Sequence, residues 1–260
     1  MDRALRGRLT ITAIGIGIFV ALFLVSAPSV PDRIEDIELF FDQSATTAFR
    51  LGEEHFSSHS ARYSISRAET LFNIALARDS HLPLVHYQLA RVAFLKGMYS
   101  TAIAHINIEI NDNPDVPASA KYIRGLIEGY KGDYSAAEND YSEYLIHDPN
   151  NWAAINDYAW ILIKEKKFVN AYAATERGLS LWPENAWLLN SASIALFEIG
   201  DTERARLYAR RAFARVHGVT RESWLKAYPG NDPLSADVGL DALRASVMHN
   251  MLRIASTSAL

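Results

Sequence analysis

Few side chains in this sequence stand where they could do chemistry. His55 and His59 lie four apart, a spacing that would put both on one helical face and let them hold a divalent metal. A zinc protease built that way needs a glutamate directly after the first histidine, and Phe56 stands there instead. No third ligand is evident, so both are read as surface histidines and no metal is expected. The chain has no cysteine, hence no thiolate ligand, thiol nucleophile or disulfide. No Ser/His/Asp grouping stands out, and no glycine-rich phosphate loop follows a strand, because no strand is expected. The expectation is no catalytic residue, no cofactor and no enzymatic activity. What remains is a pair of amides, Asn156 and Asn190, 34 residues apart. An amide donates to a carbonyl and accepts from an N–H, which is the chemistry of holding a peptide backbone.

Composition narrows the class of partner. The 260 residues carry 26 basic and 30 acidic side chains, a formal net charge of −4. A nucleic-acid binder needs a basic patch to neutralise phosphates, so nucleic acid is excluded as a partner. Apolar residues make up 49% of the chain and aromatics 11%, enough to build a core and to argue against disorder.

The elements that must position the amides begin with an N-terminal apolar run. No residue from Leu9 to Pro31 is charged. A helix over residues 9–27 with its flank approaches the ~30 Å of a bilayer's hydrocarbon at about 1.5 Å per residue. Val25-Ser26-Ala27 also fits a leader-peptide cleavage site, but Pro28 would follow the cut, where a ring is poorly accepted. The favoured reading is a retained transmembrane anchor. Residues 1–8 carry Arg3, Arg6 and Arg8, whereas Asp32, Glu35, Asp36, Glu38 and Asp42 follow the run. Basic flanks stay cytoplasmic, which places the body outside the cytoplasmic membrane. Ala13, Gly17 and Ala21 recur every four residues, a small-residue face that would permit weak homo-oligomeric pairing of two membrane helices. Residues 28–43 read as an acidic stalk, in which Pro28 and Pro31 resist helix. Its stretch Asp36–Asp42 could open the first helix of the body or lie on the lipid surface.

Residues 44–217 repeat. Ala68, Ala102, Ala137, Ala171 and Ala205 recur at spacings of 34, 35, 34 and 34. Ile65, Tyr99, Tyr134 and Phe168 stand three residues before the first four, and Thr202 before the fifth. Gly97, Gly132 and Gly200 stand five before their alanines, and Pro114, Pro149 and Pro183 twelve after the middle three. Each unit reads as two helices. The glycine makes the sharp turn between them, the alanine lets them cross closely, and the proline ends the unit. Neither helix buries its apolar face alone, so stacked neighbours make the core.

At these positions the chain resembles the tetratricopeptide repeat family, whose period is about 34. The resemblance implies an all-α fold, a right-handed α-solenoid of about five helix-turn-helix units. The first unit is irregular: Leu51-Gly52 lie too far before Ala68, and a loop near residues 57–61 would absorb about four extra residues. In the third unit Gly125 is the small residue if Gly132 sets the register, which puts Arg124 at an apolar position. Slipping by one restores Ile123 but crowds Arg124, and the two registers stay open. Glu109 occupies a normally small, packed position, where a nearby arginine is expected to meet it. Residues 218–260 read as a loop followed by a capping helix with Leu240, Leu243, Val247, Met251 and Ile254 at helical spacing. The competing reading folds that helix into the groove.

The resemblance also implies where a ligand would lie, since in this family the first helices of successive units line a concave face that takes extended peptides or helices. Projected onto it are Tyr87, Arg91 and Phe94, then Tyr122 and Leu126, then Asn156, Trp160 and Ile163, then Asn190, Ile194 and Phe197. The bland alternative is that Trp160 and Phe197 pack between helices and the two asparagines are polar filler. Arg91 is nearly alone among aromatics with Lys164 at the margin, so a clamp for a chaperone's terminal carboxylate is not expected. The function expected is a membrane-anchored, non-enzymatic scaffold for protein or peptide partners, in envelope assembly, secretion or protein maturation. The rivals are an accessory subunit of a membrane enzyme or transporter, and a self-associating structural protein.

Overall fold

A computed structural model describes residues 30–113, 116–227 and 232–256. Among the described residues there are thirteen α-helices, one 3₁₀ turn and no strand. The helices are α1 (Val30–Phe41), α2 (Ala45–Phe56), α3 (Ile65–Arg78), α4 (Val85–Leu95), α5 (Tyr99–Asp112), α6 (Ser119–Lys131) and α7 (Tyr134–His147). They continue as α8 (Trp152–Lys164), α9 (Phe168–Leu181), α10 (Ala186–Ile199), α11 (Thr202–Val216), α12 (Arg221–Ala227) and, after the 3₁₀ turn Pro233–Ser235, α13 (Ala236–Ser256). Helices α2 to α11 pair into five hairpins, each packed on the next. The result is an all-helical solenoid of tetratricopeptide-repeat type.

The repeated residues act at the hairpin crossings. Ala68, Ala102, Ala137, Ala171 and Ala205 are all completely buried. Gly97, Gly132 and Gly200 adopt φ of +72°, +94° and +94°, the left-handed region that a glycine enters without steric cost. A Cβ built on any of the three would meet nothing within 4 Å, so backbone conformation rather than space requires them. In the fourth unit the same position is Lys166, held at φ +61° without that freedom. In the first unit the tight turn is replaced by residues 57–64, outside any helix.

Helix starts are set by side-chain caps. Asn151 Oδ1 accepts from the N–H groups of Ala153 and Ala154 at 3.1 and 3.2 Å. Asn185 does the same, 34 residues on, for Trp187 and Leu188 at 3.1 Å each. Helix α4 lacks such a residue: its cap position is Leu84, at φ +69°. Glu109, only 1% exposed, reaches across from α5 instead. Its carboxylate accepts from Leu84 N at 2.8 Å, Tyr87 N at 3.1 Å and Asn113 Nδ2 at 2.6 Å. The expected arginine partner is therefore replaced by the start of a neighbouring helix, whose unpaired N–H groups attract an anion.

The third unit takes the register set by Gly132. A Cβ on Gly125 would come 3.3 Å from Asp140 Cβ and 3.4 Å from the Ala137 carbonyl oxygen, so the crossing is closest there. Arg124 escapes the apolar slot by donating to both oxygens of buried Asp140, at 2.6 and 2.7 Å.

Residues 30–41, part of the expected stalk, are helical. Pro31 falls in the first turn of α1, where a missing N–H costs nothing. Buried Leu39 joins Ala48, Leu51 and Phe72 in the first unit's core. Buried Glu35 bonds His55 Nε2 at 2.9 Å, forms an ion pair with Arg62, and lies 3.5 Å from Arg67. His55 is thus not a surface histidine: it is 3% exposed, and its Nδ1 donates to the Arg62 carbonyl at 2.7 Å. His59 lies beyond the end of α2, so the two histidines share no helical face.

At the other end α13 packs along α11 and α10, where the first helix of a sixth unit would lie. Its Val247 and Ile254 are buried with Ala212 and Val216, and with Ala205 and Ala209, respectively. The connection before it reaches back to the first unit. Residues 58–61 and Tyr63 share a cavity of about 860 Å³ with Arg221, Glu222, Leu225, Pro233 and Leu234. Burial and the nearby Asp232 carboxylate push the Tyr63 hydroxyl well above the usual tyrosine range.

Among the described residues no helix is long and apolar enough to cross a membrane. The expected anchor at residues 9–27, the basic flank 1–8 and the pairing face Ala13, Gly17 and Ala21 lie outside the described residues, as does Pro114.

Candidate functional site

A cavity of about 460 Å³ opens among the first helices of the last three units and α13. Helix α6 contributes Leu126 and Tyr130, and α8 contributes Asn156, Asp157, Trp160, Ile163 and Lys164. Helix α10 adds Trp187, Asn190, Ser191 and Ile194, and α13 adds Ser246 and Asn250. Spacings of three and four residues on α8 and α10 put each set on one helical face. The 34-residue period then superposes the two faces, so Asn156 and Asn190 occupy equivalent rungs.

The polar floor is already wired. Ser191 Oγ donates to Asn156 Oδ1 at 2.9 Å. The Tyr122 hydroxyl donates to Asp157 Oδ2 at 2.9 Å, holding that carboxylate from behind. Asn250 Nδ2 donates to Asn190 Oδ1 at 3.1 Å, so the C-terminal helix fixes the second amide and leaves its own N–H₂ to point elsewhere. Aromatic faces surround the floor. The Tyr130 and Trp160 rings lie 5.6 Å apart, and Trp187 packs on Trp152 at 4.9 Å. The Lys164 ammonium sits 5.9 Å from the centre of the Trp160 ring. Trp160 can seat there because Gly129 faces it: a Cβ on Gly129 would come 2.8 Å from the indole. Burial, then the Asp157 charge, raise the Tyr130 hydroxyl above its ordinary range and keep it a neutral donor.

Six of the expected groove residues meet in this cavity: Leu126, Asn156, Trp160, Ile163, Asn190 and Ile194. The other five lie elsewhere. Tyr122 is 2% exposed and acts behind the floor through its hydroxyl. Tyr87 is buried in the second unit's core. Arg91 stacks over Phe56 at 4.7 Å and donates to Gln88 at 2.8 Å, so it serves contacts within the first two units. Phe94 packs between Tyr99 and Tyr130, at 6.0 and 5.3 Å. Phe197 is covered by the Arg253 guanidinium at 4.8 Å, which belongs to α13. Residues not anticipated include Tyr130, Asp157 and Trp187, which lie three or four places from expected ones along the same helices. Ser246 and Asn250 come from outside the repeat, where no period points to them. Among the described residues no group of three or more His, Asp or Glu side chains could hold a metal ion.

The arrangement brings together a buried carboxylate already held by Tyr122 and Asn156, two amides, hydroxyls and indole and phenol faces. Known proteins agree with the fold. The family model described as tetratricopeptide repeat matches residues 122–186. A MamA fragment, 41-end, from Desulfovibrio magneticus RS-1 is similar with a TM-score of 0.60 at 14% identity, over 67% of this chain and 96% of that one. YrrB, described as a TPR protein with an unusual peptide-binding site, scores 0.59 at 15% identity, over 69% and 91% of the two chains. A further MamA structure scores 0.58 at 16% identity, over 66% and 92%. No curated protein matches the chain. The match at residues 122–186 and these likenesses agree with a helical solenoid of tetratricopeptide-repeat type.

Proposed function

We propose that this chain is a non-enzymatic scaffold that holds an extended segment of a partner protein, with a lysine or arginine of that segment in the cavity floored by Asp157. The observation that carries the reading is the convergence of the Asp157 carboxylate with Tyr130, Trp160 and Trp187 in a single cavity, where the chain's own Lys164 ammonium already sits near the Trp160 ring and would have to share or yield it. A cation is attracted by an aromatic face and by a carboxylate at once, and desolvation strengthens both. The Asn190 amide N–H₂ supplies a donor for a backbone carbonyl alongside. YrrB's peptide-binding site supports the reading by likeness of fold.

The scaffold is tethered: the uncharged run from Leu9 to Pro31, with arginines before it and carboxylates after it, makes a single-pass anchor with the solenoid on the outer side of the cytoplasmic membrane. Tethering raises the effective concentration of membrane partners, which suits envelope assembly, secretion or maturation of exported proteins. Pairing through Ala13, Gly17 and Ala21 would add avidity.

A peptide series of one sequence, with Lys, Arg, Ala or Glu at a single position, tests the site by tryptophan fluorescence. The Lys and Arg peptides should bind about tenfold more tightly than the Ala and Glu peptides, a difference near 1.4 kcal/mol. Trp160→Leu and Asp157→Asn should erase that preference. Equal binding of all four peptides would overturn the cation reading, and no binding of any would overturn the groove.

A further inference from the structure

Helix α1 is built inside out. Among the described residues its carboxylates engage the protein body: Glu35 is 2% exposed, and Asp36 pairs with Arg67 at 2.7 Å. Glu38 pairs with Arg50 of α2. Arg78 of α3 bonds the carbonyl oxygens of Leu39 at 3.2 Å and Ser44 at 3.0 Å, satisfying the end of the helix. The outward face is apolar instead. Ile34, Ile37, Phe40 and Phe41 are 62%, 53%, 72% and 82% exposed. At 3.6 residues per turn the four fall within an arc of roughly 120°. A helix held in water would be expected to present the opposite face.

We infer that the outer face of α1 rests in the interfacial layer of a lipid bilayer, so that the helix lays the solenoid against the membrane surface. Three observations select lipid as the occupant. The apolar arc is continuous over two helical turns, as a planar phase requires. The carboxylates of Glu35, Asp36 and Glu38 are each matched by arginines of the body, so they do not repel an interface. The uncharged run that begins at Leu9 extends to Pro31, in the first turn of the helix, so a membrane span there would deliver α1 to the lipid surface. This last point rests on the proposed anchor, while the first two do not.

The chain has no native cysteine, so single-cysteine variants of the full chain take one label each. Ile37→Cys and Phe41→Cys probe the outer face, and Leu207→Cys, at a 55% exposed site on α11, serves as control. Each is labelled with an environment-sensitive fluorophore and incubated with phosphatidylcholine vesicles, with or without headgroup-region nitroxide lipid. The labels at 37 and 41 should be quenched by nitroxide lipid about threefold more than the label at 207, and shielded from aqueous iodide. Iodide access equal to that at 207 would overturn the inference. So would shielding from iodide without lipid quenching, which would mean that protein covers the face. Alkaline extraction of the same vesicles reports the anchor separately: an extractable chain with lipid-quenched labels keeps the inference and removes the anchor. A chain that does not bind vesicles removes both.

Discussion

Glu109 is the sharpest place to perturb the solenoid. One buried carboxylate receives two backbone N–H groups at the start of α4 and the amide of Asn113. Glu109→Ala leaves the half-buried Leu84 N–H and the buried Tyr87 N–H without their acceptor. Each unpaired buried donor costs about 1–3 kcal/mol, and loss of a helix cap alone typically costs about 1. Some cost is recovered because a charge no longer has to be buried, so the net destabilisation should be about 2–4 kcal/mol. Glu109→Gln keeps one acceptor oxygen but turns an N–H₂ toward a donor, and should cost about 1–2 kcal/mol. Urea unfolding followed by circular dichroism at 222 nm measures the global effect. Native-state hydrogen exchange should show the loss concentrated in the first turn of α4, because the contact is local. A Glu109→Ala loss under about 0.5 kcal/mol, or unchanged protection at Tyr87, would refute the capping argument.

Other consequences follow from the same geometry. Lys166→Gly should stabilise the protein by about 1 kcal/mol by relieving a left-handed backbone, and Gly132→Ala should cost about the same, both read by urea midpoint. Burial, with the charge of Asp140, raises the Glu128 carboxyl to about 7. The folded state then holds a proton that the unfolded chain releases near the ordinary carboxyl value of 4.5, so this residue's contribution falls as pH rises from about 4.5 to 7. Glu128→Gln should therefore gain stability relative to the native protein at pH 8 and not at pH 4; an equal effect at both would contradict the assignment. His86 and His105 face each other with Nδ1 atoms 2.8 Å apart, and burial lowers both below their ordinary 6.5. The unfolded chain takes up protons first, so stability should fall as pH drops below about 6.5, and His105→Gln should flatten that fall in pH-dependent unfolding.

The repeat was legible in the sequence because one physical demand recurs every 34 residues. A close crossing admits alanine, and a left-handed turn favours glycine, so Ala137 and Gly132 announce themselves. Lys166 shows the limit: the turn persists without its glycine because the hairpins on either side impose it. Contacts made between helices far apart in sequence left no local trace. Glu109 caps a helix that starts 25 residues earlier, and His55 is buried by a carboxylate 20 residues upstream. The cavity was readable on α8 and α10, where period and helical spacing coincide. Phe197, expected on the same face, is covered by Arg253, which lies in α13, beyond the repeats. Pro31 argued against a helix at 30–41, yet a first-turn proline is compatible with one.

The central claim is that the faces of α8 and α10 grip a partner's cationic segment. Hydrogen exchange of the full chain, with and without a saturating lysine-bearing peptide, tests it directly. Protection confined to 156–164 and 187–194, and absent for the Asp157→Asn variant, is the predicted outcome. Protection on the outer helices α9 and α11, or unchanged exchange throughout, would contradict it.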